Sequence, residues 1–183
     1  MELIKQNTQS QIIKSILVIF VGSIILAISA KIKIPFYPVP MTMQTFVVLF
    51  LGLSFGYKIG FATVSLYLIE GVLGLPVFSN SPERGIGLAY FTGPTMGYLI
   101  GFLSASFLAS FVKIDDNYVM IFFKLLLSVS TIYLLGILWL GTIIGWDKPI
   151  FELGVAPFLL AEVFKILLLT ILTKKILKLR KFI

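Results

Sequence analysis

The sequence predicts an all-α integral membrane protein of six transmembrane helices with both termini cytoplasmic, and three observations predict it. Hydrophobic residues make up 58% of the 183-residue chain and charged residues only 13%, with a mean hydropathy of +1.06; a water-soluble domain carries about a quarter charged residues. The charges fall mostly between six apolar stretches, each near the roughly 20 residues a helix needs to cross the hydrocarbon core. Lys and Arg divide unequally between the two sides that these stretches define.

The first span covers residues 15–31, bracketed by Lys14 and Lys31, whose long stems reach the interface. A cleaved signal peptide is the competing reading, and five further spans argue against it. Pro35, Pro38 and Pro40 keep the next segment non-helical, so the second span is expected over 42–57. Lys58 marks a turn into the third span, 59–74, with Glu70 near its far end. Residues 75–90 contain Pro76, Pro82, Gly85 and Gly87 beside Asn80, Glu83 and Arg84, and read as a loop. The fourth span is 91–112, Asp115, Asp116 and Asn117 form a polar turn, and the fifth span is 121–144. Trp146 and Pro149 close that span before the sixth, 153–173. Residues 1–183 are thereby taken up as a single transmembrane domain.

With the N-terminus inside, ten Lys and Arg residues fall on the inner side, namely Lys5, Lys14, Lys58, Lys113, Lys124 and the cluster Lys174, Lys175, Lys178, Arg180 and Lys181. Four fall outside: Lys31, Lys33, Arg84 and Lys148. This asymmetry is that of a multi-pass protein of the cell membrane. The net charge of +7 reads as a membrane flank, because its C-terminal cluster directly follows an apolar run, and no nucleic-acid partner is expected. Gly93, Gly97, Gly101, Ala105 and Ala109 recur every four residues, a pattern that lets helices approach closely within the bundle. Ser23 and Ala27 repeat it on a smaller scale, where docking onto a partner subunit is nearly as strong a reading as internal packing.

The chain has no cysteine and no histidine, which removes disulfides, the commonest metal ligand and the commonest general base. Neither an enzyme nor a bound cofactor is expected. No G-x-x-x-x-G-K-[ST] phosphate loop occurs, so any ATP-driven step would need separate subunits. The chemistry that remains is intramembrane charge. Glu162 and Lys165 stand three residues apart on one helix face, with Glu162 roughly 13 Å into the sixth span at 1.5 Å per residue. Each charge near mid-membrane costs on the order of 3 kcal/mol, so both are expected to face protein or a wet cavity. Glu70 reads equally as a site acid or an interfacial carboxylate.

The irregular segment before the second span and the loop 75–90 open on the same outer side. Irregular backbone at membrane depth is tolerated where it lines a cavity. Thr42, Gln44, Asn80 and Arg84 then become candidate polar groups of an outward pocket, with Phe36, Tyr37, Phe78, Tyr90 and Phe91 as aromatic walls. The candidate substrate-binding set is Glu162, Lys165, Asn80, Arg84, Gln44, Thr42, Tyr90 and Phe36. Little apolar surface lies between Ser79 and Gly85, so this loop is expected to act as a gate that orders on ligand binding. On residues alone, a proton-coupled secondary transporter using Glu70 or Glu162 stands as the alternative.

Several segments resemble one family. Pro38-Val39-Pro40-Met41-Thr42-Met43-Gln44-Thr45 followed by Leu51-Gly52 resembles the start of the BioY family, the biotin-specific S components of energy-coupling-factor transporters. Gly74-Leu75-Pro76-Val77-Phe78 and Gly87-Leu88-Ala89-Tyr90 are similar again, as are the run from Gly93 to Phe102 and Pro157-Phe158 ahead of Glu162 and Lys165. The resemblance implies an S-component-like bundle, a biotin pocket near the outer surface, a membrane T component and two cytoplasmic ATPase subunits. It also implies biotin contacts from Glu162, Lys165 and Asn80. The family usually has Asp where this chain has Glu162, and some members carry an arginine near Tyr90, for which Arg84 is the nearest substitute. The chemistry is compatible: a carboxylate accepts from ureido N–H groups, a lysine donates to the ureido carbonyl, and an asparagine serves either.

Overall fold

A computed structural model of the chain describes the backbone of residues 2–182 and the side chains of residues 9–181. Lipid offers the backbone no hydrogen-bond partners, so the apolar stretches satisfy their own amides as helices. The elements are α1 (Glu2–Lys31), a short antiparallel hairpin of β1 (Lys33–Ile34) and β2 (Met41–Thr42), α2 (Gln44–Val72), α3 (Leu88–Phe91), α4 (Met96–Ala109), α5 (Tyr118–Ile144), α6 (Ile150–Gly154) and α7 (Leu159–Ile176). A 3₁₀ turn, Ala156–Phe158, joins α6 to α7, and another, Leu177–Phe182, follows α7. Among the described residues, four helical segments are long and apolar enough to cross a membrane: Gln9–Lys31, Gln44–Val72, Tyr118–Ile144 and Ile150–Lys181. The apolar α4, at 14 residues, is shorter.

α2 is two antiparallel arms joined at one residue. Gly56 has φ 76° and ψ 179° inside an otherwise helical run. A Cβ placed on Gly60 would lie 3.0 Å from the Gly52 Cα, and Gln44 Nε2 donates to the Tyr67 hydroxyl at 2.7 Å. A straight helix would hold those pairs about 12 Å and 35 Å apart. The sequence places this reversal at Lys58 with a connection of its own; it occurs at Gly56 instead, because a positive φ there turns the chain without a loop and only glycine adopts it readily.

Two other boundaries shift. The fourth span becomes helical only at Met96, since α3 and an irregular turn through Thr92–Thr95 occupy its expected beginning. The sixth is broken into α6, the 3₁₀ turn and α7, which runs to Ile176. Pro157 has no amide hydrogen to continue a ladder from α6, but its fixed φ suits the first turn of a new helix.

The small residues of α4 pack internally, as expected. A side chain on Gly97 would strike the Leu135 carbonyl, and one on Gly101 would come within 2.6 Å of the Ile132 Cα. Gly52 meets the Ser106 carbonyl in the same way, seating α4 against α2. The small face of α1 also packs inward. A Cβ on Gly22 would lie 2.6 Å from Thr63 Cγ2, Ser23 is fully buried, and its Oγ donates to Glu70 Oε1 at 2.9 Å. Ser23 is therefore a contact between α1 and α2, which corrects the reading of it as a docking face. The outward face of α1 is instead a row of exposed Ile16, Leu17, Phe20 and Ile24.

At the end of the bundle remote from the hairpin, Arg180 donates from Nε to the Leu53 carbonyl and from Nη2 to the Ser110 carbonyl, both at 2.8 Å. These oxygens end the first arm of α2 and cap α4, where helices leave carbonyls unpaired. One guanidinium thus ties the C-terminal turn to two helix ends.

Candidate substrate-binding site

The site forms where the proline-bearing hairpin meets α2, α4, α5 and α7. Glu162 lies in the first turn of α7, at the helix end whose dipole favours an anion, and Lys165 follows one turn later. Both are buried, at 4% and 6% exposure. Lys165 Nζ donates three hydrogen bonds: to the Thr42 carbonyl at 2.7 Å, to Thr45 Oγ1 at 2.9 Å and to Glu162 Oε1 at 2.8 Å. Thr45 Oγ1 donates in turn to Glu162 Oε1 at 2.8 Å. An ammonium has three hydrogens, so Lys165 is saturated. Glu162 Oε2 is buried with no hydrogen-bond partner, which leaves a carboxylate oxygen able to accept from a ligand.

Glu162 forms part of the wall of a cavity. Thr42, Gln44 and Thr45 stand on one side, Tyr90, Thr95 and Tyr98 on another, and Ile132, Tyr133 and Phe158 complete the apolar and aromatic part. The cavity measures about 50 Å³, enough for only a few waters at roughly 10–15 Å³ each. A vitamin-sized molecule therefore enters only when the walls move apart.

The structure brings Glu162, Gln44, Thr42 and Tyr90 onto this wall and sets the other four candidates back from it. Lys165 stands behind Glu162 and Thr42. Asn80 and Arg84 border a smaller adjoining space of about 20 Å³, which also touches Tyr90 and Thr95. Asn80 Oδ1 accepts from Lys33 Nζ at 3.0 Å. Arg84 is exposed, donates to the Pro38 carbonyl at 2.9 Å and lies 5.3 Å over the Tyr37 ring. Phe36 meets Phe158 edge-on at 5.9 Å and so backs the aromatic wall. Glu70 is away from the cavity, held by Ser23.

The residues that sequence reasoning passed over are Thr45, Tyr98, Tyr133 and Phe158. Tyr133 stacks on Phe158 at 6.1 Å and meets Tyr98 edge-on at 6.0 Å. For Thr45, Tyr98 and Tyr133 the available signal was a hydroxyl within an otherwise apolar span, which seeks a partner when buried; Phe158 offered none.

Over the cavity lies the segment 73–87, held by more than its composition promises. Phe78 is 1% exposed and packs on Tyr67 and Tyr90 with ring centroids 5.4 Å and 4.7 Å away. Lys31 Nζ donates to the Phe78 and Ser81 carbonyls, both at 2.8 Å, and Lys33 Nζ to the Ser79 carbonyl at 2.7 Å. One buried ring and two ammonium groups replace the apolar surface that residues 79–85 lack.

A helical membrane protein with a narrow, mostly apolar cavity at one end, containing a buried carboxylate oxygen without a hydrogen-bond partner, is one built to hold a small molecule. Comparison with known proteins makes this specific. The BioY family profile matches residues 4–182, and the chain belongs to the BioY family. It is 36% identical over 151 residues to a probable biotin transporter BioY of Pyrococcus horikoshii, covering 82% of this chain and 87% of that protein. It is 32% identical over 170 residues to the biotin transporter BioY2 of Lactococcus lactis, covering 91% and 90%. Its fold matches a crystal structure of the S-component for biotin from an ECF-type ABC transporter, with a TM-score of 0.77 and 24% identity over 92% of this chain and 93% of that one.

Proposed function

We propose that this chain captures biotin at the outer face of the cell membrane as the substrate-binding subunit of an ATP-driven vitamin transporter. The observation that carries the proposal is the buried, unpartnered Oε2 of Glu162 on the wall of an aromatic cavity, in a chain of the BioY family. The ureido ring of biotin would donate N–H to that oxygen, and its apolar thioether ring would lie against Phe158, Tyr98 and Tyr133. Membership of the family supports a membrane T component and two cytoplasmic ATPase subunits as partners. The chain has no phosphate loop of its own and performs no catalysis.

The same reading has the chain crossing the membrane six times, with the arms of α2 as separate spans and both termini cytoplasmic. Lys31, Lys33 and Arg84 gather at the cavity end, and Arg180 lies at the other, in keeping with the inner excess of basic residues. The test is direct: biotin titrated into the purified chain, without partner subunits, is expected to bind at one molecule per chain. Absence of binding in a folded preparation would sink the reading.

The cover 73–87 is expected to open for entry. Hydrogen exchange of its amides should slow on adding biotin, and Lys31→Met with Lys33→Met should speed it by tenfold or more without ligand, since those ammonium groups hold the main chain. Exchange unaffected by both changes would place the entry route elsewhere.

A further inference from the structure

We infer that Tyr67 is a positioning residue that couples the Gln44 amide, on the cavity wall, to closure of the cover 73–87. The inference rests on the biotin reading above. Tyr67 is fully buried in the second arm of α2, and its hydroxyl is bonded on both sides. It accepts from Gln44 Nε2 at 2.7 Å and donates to the Val77 carbonyl at 3.2 Å. Gln44 and Thr42 line the cavity, and Thr42 Oγ1 donates to Gln44 Oε1 at 3.1 Å. Three donors therefore point the same way, from Thr42 through Gln44 and Tyr67 to the main chain of the cover.

Hydrogen bonds aligned head to tail polarise one another, so a change at one end alters the strength of the other. A ligand that displaces or fixes the Gln44 side chain therefore acts on the bond that Tyr67 makes to Val77. The ring supplies a second link. It meets Phe78 edge-on at 5.4 Å, and Phe78 lies so close to the backbone of α2 that a Cβ on Gly71 would overlap its ring. A phenylalanine at position 67 would keep this packing without the desolvation cost of a buried hydroxyl, and the bonds to Gln44 and Val77 are what offset that cost. Lys31 and Lys33 fasten the cover from its exposed side, whereas Tyr67 fastens it to a residue of the cavity wall.

The experiment measures hydrogen exchange of amides 73–87 in the purified chain, with and without saturating biotin, together with the rate of biotin release. Biotin is expected to slow this exchange in the wild type. Tyr67→Phe is expected to speed release by about tenfold and to lose most of the ligand-dependent slowing, while exchange within α4 and α5 stays unchanged. Gln44→Met cuts the same chain at its cavity end. The double variant is expected to lose no more of the slowing than either single one, as for two residues of one network. A Tyr67→Phe chain that keeps the wild-type release rate and slowing overturns the inference. So does one whose cover exchanges faster by the same factor with and without biotin, since the hydroxyl would then be a plain stabilising tie, and so do losses that add in the double variant. If Tyr67→Phe fails to fold, Gln44→Met decides alone: slowing lost at saturating biotin supports the coupling, and slowing retained overturns it. A wild-type chain that binds biotin without slowing the cover overturns the inference and leaves the biotin reading intact, whereas one that binds no biotin removes both.

Discussion

Lys165→Met is expected to destabilise the folded protein by about 3–5 kcal/mol, the usual consequence of removing one partner from a buried ion pair. The side chains of Lys165 and Glu162 are only 7% and 5% exposed, and Lys165 is one of the two donors that Glu162 Oε1 has. Without the ammonium, a buried carboxylate keeps only neutral hydroxyl groups to solvate it, Thr45 among them, and the Thr42 carbonyl loses a donor as well. Adding Glu162→Gln to Lys165→Met should recover most of the loss, because a neutral pair carries no stranded charge. Denaturation of the three variants and the wild type in detergent checks this. A Lys165→Met protein within about 1 kcal/mol of wild type would show that water or another group reaches Glu162 freely.

Glu162→Gln alone is expected to weaken biotin binding by roughly 2–4 kcal/mol, or about 30- to 1000-fold. On the proposed binding mode the amide would remove the charged acceptor for the ureido N–H, and it would leave Lys165 as an uncompensated buried cation. Glu162→Asp keeps the charge and shortens the reach by one methylene, and should stay within about tenfold of wild type. Titration of biotin into the purified variants separates these outcomes. Equal affinity of the glutamine variant and the wild type would take Glu162 out of the ligand's first contacts.

The apolar helices were legible in the sequence because a charge inside lipid is costly enough that its absence over some twenty residues points to a helix that can cross a membrane. The breaks within them were not. Gly56 makes its turn in one residue and leaves no polar loop behind, so hydropathy alone puts the reversal at the nearest charge, Lys58. The late start of α7 depends on Pro157, whose effect on a helix differs with its position in the first turn or the interior. Glu162 and Lys165 stood out for the same reason as the spans. Tyr133 and Thr45 did not, since a tyrosine in an apolar run more often marks a membrane interface and a threonine in a helix commonly bonds its own carbonyls. Arg84 shows the opposite failure: it was legible as a charge near the pocket, but its direction was not, and it turns to the Pro38 carbonyl instead.

The grip of Lys31 and Lys33 on the segment 73–87, and of Arg84 on the hairpin loop at Pro38, falls almost wholly on main-chain oxygens, those of Phe78, Ser79, Ser81 and Pro38. Every residue has such an oxygen, so the latch is blind to the side chains beneath it. Exposed positions beside the latch, such as Glu83, Ile86 and Leu88, can therefore vary one at a time while the fastening persists, and a designer seeking to admit a bulkier or differently charged vitamin can start from them without rebuilding it.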